Sequence, residues 1–249
     1  SGSDGPSRHE LASSLLREAI QRTRGASSWI ATCSSLDSAR LALLREQGFQ
    51  PQRTDQLWRW RPRPGVAAAP PAGLQLVRLQ RRTATLLWHL EQAACPAQLR
   101  QLLDRRCEDL LDQSGNRGWM LVDTCRREAV AGVRWLGDHP DGGPRFEFSL
   151  HPGWSHLLGA ACELLLRQAH DGDTPIWLAS EAADGPRRDW LLQLGAEPLQ
   201  EEVLMARSVW RRQEHPRRLA AVGGLEAVLE QFQPRRRPLP TPVGGLPLS

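Results

Sequence analysis

Lysine and tyrosine are absent from this chain of 249 residues, so all 32 of its Lys/Arg positions are arginine. Arginine used for nucleic-acid contact would gather on one element or one face. Here it is interspersed with Asp and Glu along the chain, the run Arg235-Arg236-Arg237 excepted, which fits GC-rich coding bias better. Despite a formal net charge of +4, no specific nucleic-acid partner is expected. The five cysteines are far apart and form no CxxC or Cys/His ligand spacing. That argues against a disulfide framework and against a metal site, and leaves them as small apolar side chains. No apolar run approaches the ~18 residues of a membrane span. The first ten residues are polar and carry no signal-peptide pattern, so no membrane partner and a cytoplasmic location are expected.

What the chain does contain is one segment twice. Leu15-Leu16-Arg17-Glu18-Ala19 returns as Leu165-Leu166-Arg167-Gln168-Ala169, and Trp29-Ile30-Ala31 returns as Trp177-Leu178-Ala179. Leu43-Leu44-Arg45-Glu46-Gln47-Gly48 returns as Leu191-Leu192-Gln193-Leu194-Gly195 with a one-residue adjustment. Each copy reads as helix, short buried strand, helix ending at a glycine, then a pair of strands. The second copy follows a long α/β stretch and the first follows almost nothing. With no initial Met, the chain reads as one and a half domains cut from a longer parent. Four parts are expected: a C-terminal half-domain over 1–61, a Pro/Ala linker over 62–72, a complete domain over 73–212, and a Pro/Arg-rich extension over 213–249.

Within the complete domain the patterning predicts a strand at 74–79, helices at 82–93 and 96–112, and a hairpin from 119 to 136. A strand at 145–150, a helix at 155–168, a strand at 175–179, a helix at 184–194 and a final hairpin at 197–211 follow. Ten tryptophans against four phenylalanines suggest an aromatic platform, but seven of the ten fall in predicted strands. Sheet packing is the reading that spacing favours.

The element order resembles that of the GCN5-related N-acetyltransferase (GNAT) superfamily. Phe146-Glu147-Phe148-Ser149-Leu150-His151-Pro152-Gly153-Trp154 is similar to that family's fourth strand and following turn. Leu191-Leu192-Gln193-Leu194-Gly195-Ala196 is similar to a segment late in its fold. The resemblance implies an α/β fold with a mixed, mostly antiparallel central sheet flanked by helices, here with an internal repeat of the C-terminal half. It implies transfer of an acetyl group from acetyl-CoA, as cosubstrate, to a small-molecule or protein amine. The alternative is a decayed pseudo-enzyme that serves as an interaction module.

By the same resemblance, Leu150, His156, Gly159, Ala160 and Ala161 would bind the cosubstrate. A helix N-terminus with small residues suits a diphosphate, and a splayed strand leaves a backbone N–H for the thioester oxygen. Leu157 and Leu158 are expected to crowd that approach. The first copy, Ser7-Arg8-His9-Glu10, has no glycine there, and Glu10 would repel phosphate. Glu147 is the candidate base, flanked by two phenylalanines whose walls would raise its pKa. His151 and His156 are alternatives. The family's tyrosine acid is replaced by Leu191, leaving water to protonate the thiolate. The two repeats would pack as an intrachain pseudo-dimer.

Overall fold

The computed structural model describes residues 7–23, 26, 28–62, 69–103, 105–170 and 172–208. The Pro/Arg-rich extension expected over 213–249 and Trp210 lie outside the described residues. The first repeat forms α1 (Arg8–Arg22), β1 (Ser28–Ser34), α2 (Ser38–Glu46) and β2 (Gln50–Trp60). Then follow β3 (Leu74–Arg78), α3 (Ala84–Ala94), α4 (Ala97–Leu103), α5 (Cys107–Ser114), β4 (Gly118–Asp123) and β5 (Glu128–Asp138). The chain continues through β6 (Pro144–Leu150), α6 (Ala160–Ala169), β7 (Ile176–Glu181), α7 (Gly185–Gln193) and β8 (Glu197–Ser208).

All eight strands join one sheet in the order β1-β8-β2-β7-β6-β5-β4-β3. Only β6 and β7 run parallel, joined through α6, because a parallel pair needs a crossover connection. The two repeats interleave. β2 of the first lies between β7 and β8 of the second, and β8 lies between β1 and β2. The order β1-β8-β2-β7 therefore reads the same from either end when the repeats are exchanged. At its centre Asp55 faces Glu202, equivalent residues on antiparallel strands.

This interleaving corrects the expectation that each repeat ends in a pair of strands. The hairpin expected at 197–211 is one strand, Glu197–Ser208. Its neighbour comes instead from β2, which begins at Gln50 and absorbs Pro51 through a register shift. Proline donates no N–H to a ladder, so an irregularity is where it belongs.

The side chains alternate across the sheet. Trp58, Trp60, Phe146, Phe148 and Leu178 pack with Cys162, Leu165, Trp190 and Leu191 on the face covered by α6 and α7. Cys33, Leu41, Leu44, Phe49 and Met205 extend that face under α2. The opposite face packs Met120, Val122 and Ala129 against Leu87 and Leu90 of α3 and Leu110 of α5. Tryptophans serve this packing, as their strand spacing suggests. Trp58, Trp60 and Trp177 are each at most 2% exposed. Their indole N–H groups donate to Ser180 Oγ, the Leu194 carbonyl and the Gly142 carbonyl.

Candidate active site

β6 and β7 keep only two register pairs, Arg145 with Trp177 and Phe146 with Leu178, and then separate. The gap opens beside Glu147 to Leu150. His151 N–H donates to the Val130 carbonyl, which makes 130/151 a bonded pair of the antiparallel β5–β6 ladder. Because such pairs alternate, Leu150 opposite Ala131 is unbonded to β5. Its N–H points to the side that β7 has left. Leu150 itself is 7% exposed, so its backbone and not its side chain addresses the gap.

Below that gap the expected helix at 155–168 is divided. Residues Pro152–Leu157 form a tight 3-10 turn, and α6 starts only after Gly159. His151 caps the turn by accepting the Gly153 N–H at its Nδ1, which commits that ring to structure. His156 is exposed on the turn, tilted against Trp154. Gly159 has φ +148 and ψ −141, a conformation closed to most side chains, and it caps α6 with no side chain of its own. Nothing lies within 4 Å of where its Cβ would be. Ala160 is exposed and Ala161 is buried in the first turn. Leu157 and Leu158 turn into the core with α6, so they do not crowd the loop as expected.

The first repeat differs at the equivalent place. Ser7 Oγ accepts the Glu10 N–H, and Glu10 Oε2 accepts the Ser7 N–H at 2.7 Å. That capping box fills the N-terminus of α1 with the chain's own oxygens. Of the two equivalent helices, α1 is capped by side chains and α6 is not.

On the α3–α5 face a cavity of about 520 Å³ lies between the helices and β1, β2, β6, β7 and β8. Glu147 lines it, pointing opposite to Phe146 and Phe148 as the alternation predicts. Around it lies a layer of paired charges. Arg134, fully buried, donates from Nε to Glu91 at 2.6 Å, and Arg105 reaches the same carboxylate at 3.3 Å. Arg53 pairs with Asp55, Arg145 with Glu202, and Arg187 with Asp184. Among the described residues Glu147 takes no direct ion pair in this layer.

Burial pushes the Glu147 carboxyl up, but the guanidiniums of Arg134, Arg105, Arg53 and Arg187 together hold it below its ordinary value. This reverses the expected upward shift, because four arginines outweigh two aromatic walls. Burial pushes Glu91 and Asp55 up despite their arginine partners.

A depressed pKa means that Glu147 contributes stability above its ordinary value of 4.5, lost as pH falls through the lower folded value. Glu91 and Asp55 act in the opposite sense, since stability falls as pH rises from their ordinary values through the raised ones. The Glu147 contribution is therefore read as a difference. The denaturation midpoint of Glu147→Gln should trail the native protein at neutral pH and converge with it in acid. A gap that is constant with pH would contradict the charge assignment.

The arginines and acids around Glu147 were not singled out in the sequence. Arg53 and Asp55 did carry a signal, two opposite charges spaced by two residues in a strand that ends in buried tryptophans. Arg105 carried less. The helix expected over 96–112 is interrupted there, because Trp88 Nε1 donates to the Arg105 carbonyl and Asp109 accepts the Arg106 N–H. Leu191, at the tyrosine position, is sealed in the core.

The crossover β6-α6-β7, the parting of its two strands and a seventh position filled between β7 and β8 give the order expected of the resemblance. The topology is GNAT-like. No protein-family model and no curated protein matches the sequence. Among solved structures, a functionally unknown conserved protein from Staphylococcus epidermidis is 11% identical with a TM-score of 0.53, covering 83% of this chain and 82% of its own. A Drosophila protein is 13% identical with a TM-score of 0.50, covering 84% and 68%. A GCN5-related N-acetyltransferase from Sphaerobacter thermophilus is 13% identical with a TM-score of 0.49, covering 80% of this chain. This chain spans 65% of that protein's length. At such identities the likeness concerns fold alone. Among the described residues no helix is long and apolar enough to cross a membrane, and no His/Cys/Asp/Glu group could hold a metal ion.

Proposed function

We propose that this chain is an N-acyltransferase that moves an acetyl group from acetyl-CoA to an amine, using a single site at the β6/β7 gap. The observation that carries the reading is the conjunction at that gap. A backbone N–H at Leu150 beside the parting of β6 from β7, a helix N-terminus behind Gly159 with no side-chain cap, and a carboxylate at Glu147 lining the cavity follow one another along β6 and the turn after it. Bound acetyl-CoA supplies an activated acetyl thioester. Gly159, Ala160 and Ala161 would hold its diphosphate through main-chain N–H groups, with His156 beside them. The open space at Gly159 suits that approach.

Leu150 N–H would orient the thioester oxygen, and Glu147 would receive a proton from the ammonium of the acceptor. The nitrogen–acetyl bond forms as the carbon–sulfur bond breaks. The second amine proton passes to water as the amide forms, and water protonates the departing thiolate, since no tyrosine is present. A depressed pKa makes Glu147 a modest base but keeps it ionised, which favours holding the ammonium before deprotonation. The pseudo-enzyme alternative loses one of its supports, because Leu157 and Leu158 leave the loop clear. We further read 1–61 and 73–212 as descendants of a duplicated domain packed as an intrachain pseudo-dimer, with the working loop kept in one copy.

Calorimetric titration of the intact chain with acetyl-CoA tests the reading. Micromolar binding is expected, with loss of heat for Gly159→Glu, whose carboxylate would meet the diphosphate. Equal binding by the variant would remove the α6 N-terminus from the site.

A further inference from the structure

The cavity beside Glu147 is walled by both repeats. β6 and β7 supply Glu147 and Glu181, while β2 of the first repeat supplies Arg53 and Asp55. Five arginines and six carboxylates line it, nearly balanced in charge. A cationic polyamine would want an acidic wall, and five guanidiniums oppose it. A ligand with charge of one sign only leaves the other half of the wall unused.

Arg53 is positioned to read an anion. Its Nε lies 2.7 Å from Asp55 Oδ1, and its Nη2 donates to Oδ2 at 3.0 Å. Asp55 is buried and fixes one edge of the guanidinium, leaving Nη1 and the outer edge of the fork uncommitted. The outer edge of such a fork matches a carboxylate. Arg53 is the leading charge acting on Cys95, across the cavity on the helical side, and it also acts on Glu147. Arg53, Cys95 and Glu147 all line the same cavity.

We infer that the acceptor is a zwitterionic amine of the amino-acid class, its ammonium held at Glu147 and its carboxylate at the outer edge of Arg53. The first repeat, whose own helix N-terminus is closed by Ser7 and Glu10, then serves the site of the second as its specificity wall. This rests on the assignment of Glu147 as the amine-binding base.

Cys95 lines the same cavity and reports occupancy without turnover. Burial pushes its thiol up, so alkylation by iodoacetamide is run at alkaline pH and located at Cys95 by peptide mass spectrometry. The probes are the proteinogenic L-amino acids and their neutral amides. At least one amino acid should protect Cys95 at a concentration about tenfold or more below its amide, the worth of a charged hydrogen bond. Arg53→Gln should erase that preference, with each ligand's protection referred to the alkylation rate of the unliganded variant. Arg53→Lys, which keeps a cation beside Asp55, should give an intermediate preference and covers the case in which the glutamine variant fails to fold. Equal protection by acid and amide, absence of protection by every amino acid, or a preference that survives both variants would overturn the inference. Acetyl transfer to neutral amines, lost or kept in Glu147→Gln, judges the acyltransferase reading separately.

Discussion

Excising residues 1–62 is expected to leave the remainder unable to fold, although that remainder carries the whole sequence of an apparently complete domain. The reason is the position of β2. It is hydrogen-bonded to β7 on one side and β8 on the other, so its removal opens a gap inside the sheet rather than trimming an edge. Leu57, Trp58 and Trp60, each 1% exposed, leave with it. Truncating one buried tryptophan costs about 3–5 kcal/mol, and whole domains are stable by about 5–15 kcal/mol. Losing two tryptophans and the flanking ladders exceeds that margin. Circular dichroism and sedimentation of residues 63–249 should show an unfolded or aggregated chain, and co-expression with residues 1–62 should restore a soluble complex. A monomeric fragment with cooperative melting would refute the interleaved sheet. The same logic dictates that cofactor titrations use the intact chain.

Replacing Glu147 by Gln is expected to lower the turnover of acetyl transfer roughly 10²- to 10⁴-fold, the range for a positioned general base. Acetyl-CoA affinity should change little, because Glu147 lies on the acceptor side and not at the α6 N-terminus. Amine affinity should weaken along with turnover if the carboxylate also holds the ammonium. The comparison that isolates the base is the pH profile. The native rate should rise with pH as more amine deprotonates, and the variant should recover part of its deficit in alkali, where a neutral amine no longer needs a base. Full activity at neutral pH would move the base elsewhere, His156 being the remaining candidate on the turn.

Much of this was legible in the residues. The boundaries of β3 to β6 lie close to those the patterning predicts, at Leu74–Arg78, Gly118–Asp123, Glu128–Asp138 and Pro144–Leu150. Phe146-Glu147-Phe148 placed the acid opposite its aromatic neighbours without coordinates. The repeat in 15–19 and 165–169 pointed to the matching runs α1-β1-α2-β2 and α6-β7-α7-β8. The break at Gly159 was not legible, since one unbroken helix was expected over 155–168.

Other features depended on partners remote in sequence. Whether a repeat closes its own sheet or borrows a strand cannot be read from periodicity, because β2 has the same alternation beside either neighbour. The pKa of Glu147 was expected to rise from the phenylalanines next to it in the chain. It falls because Arg53, Arg105, Arg134 and Arg187 come to it from β2, the α4–α5 junction, β5 and α7. Local sequence determined which residues form strands and helices and which side of a strand Glu147 occupies. Tertiary structure alone decided which strand fills the centre of the sheet and which charges surround the carboxylate, because Coulomb interactions and ladder pairing depend on distance in space rather than along the chain.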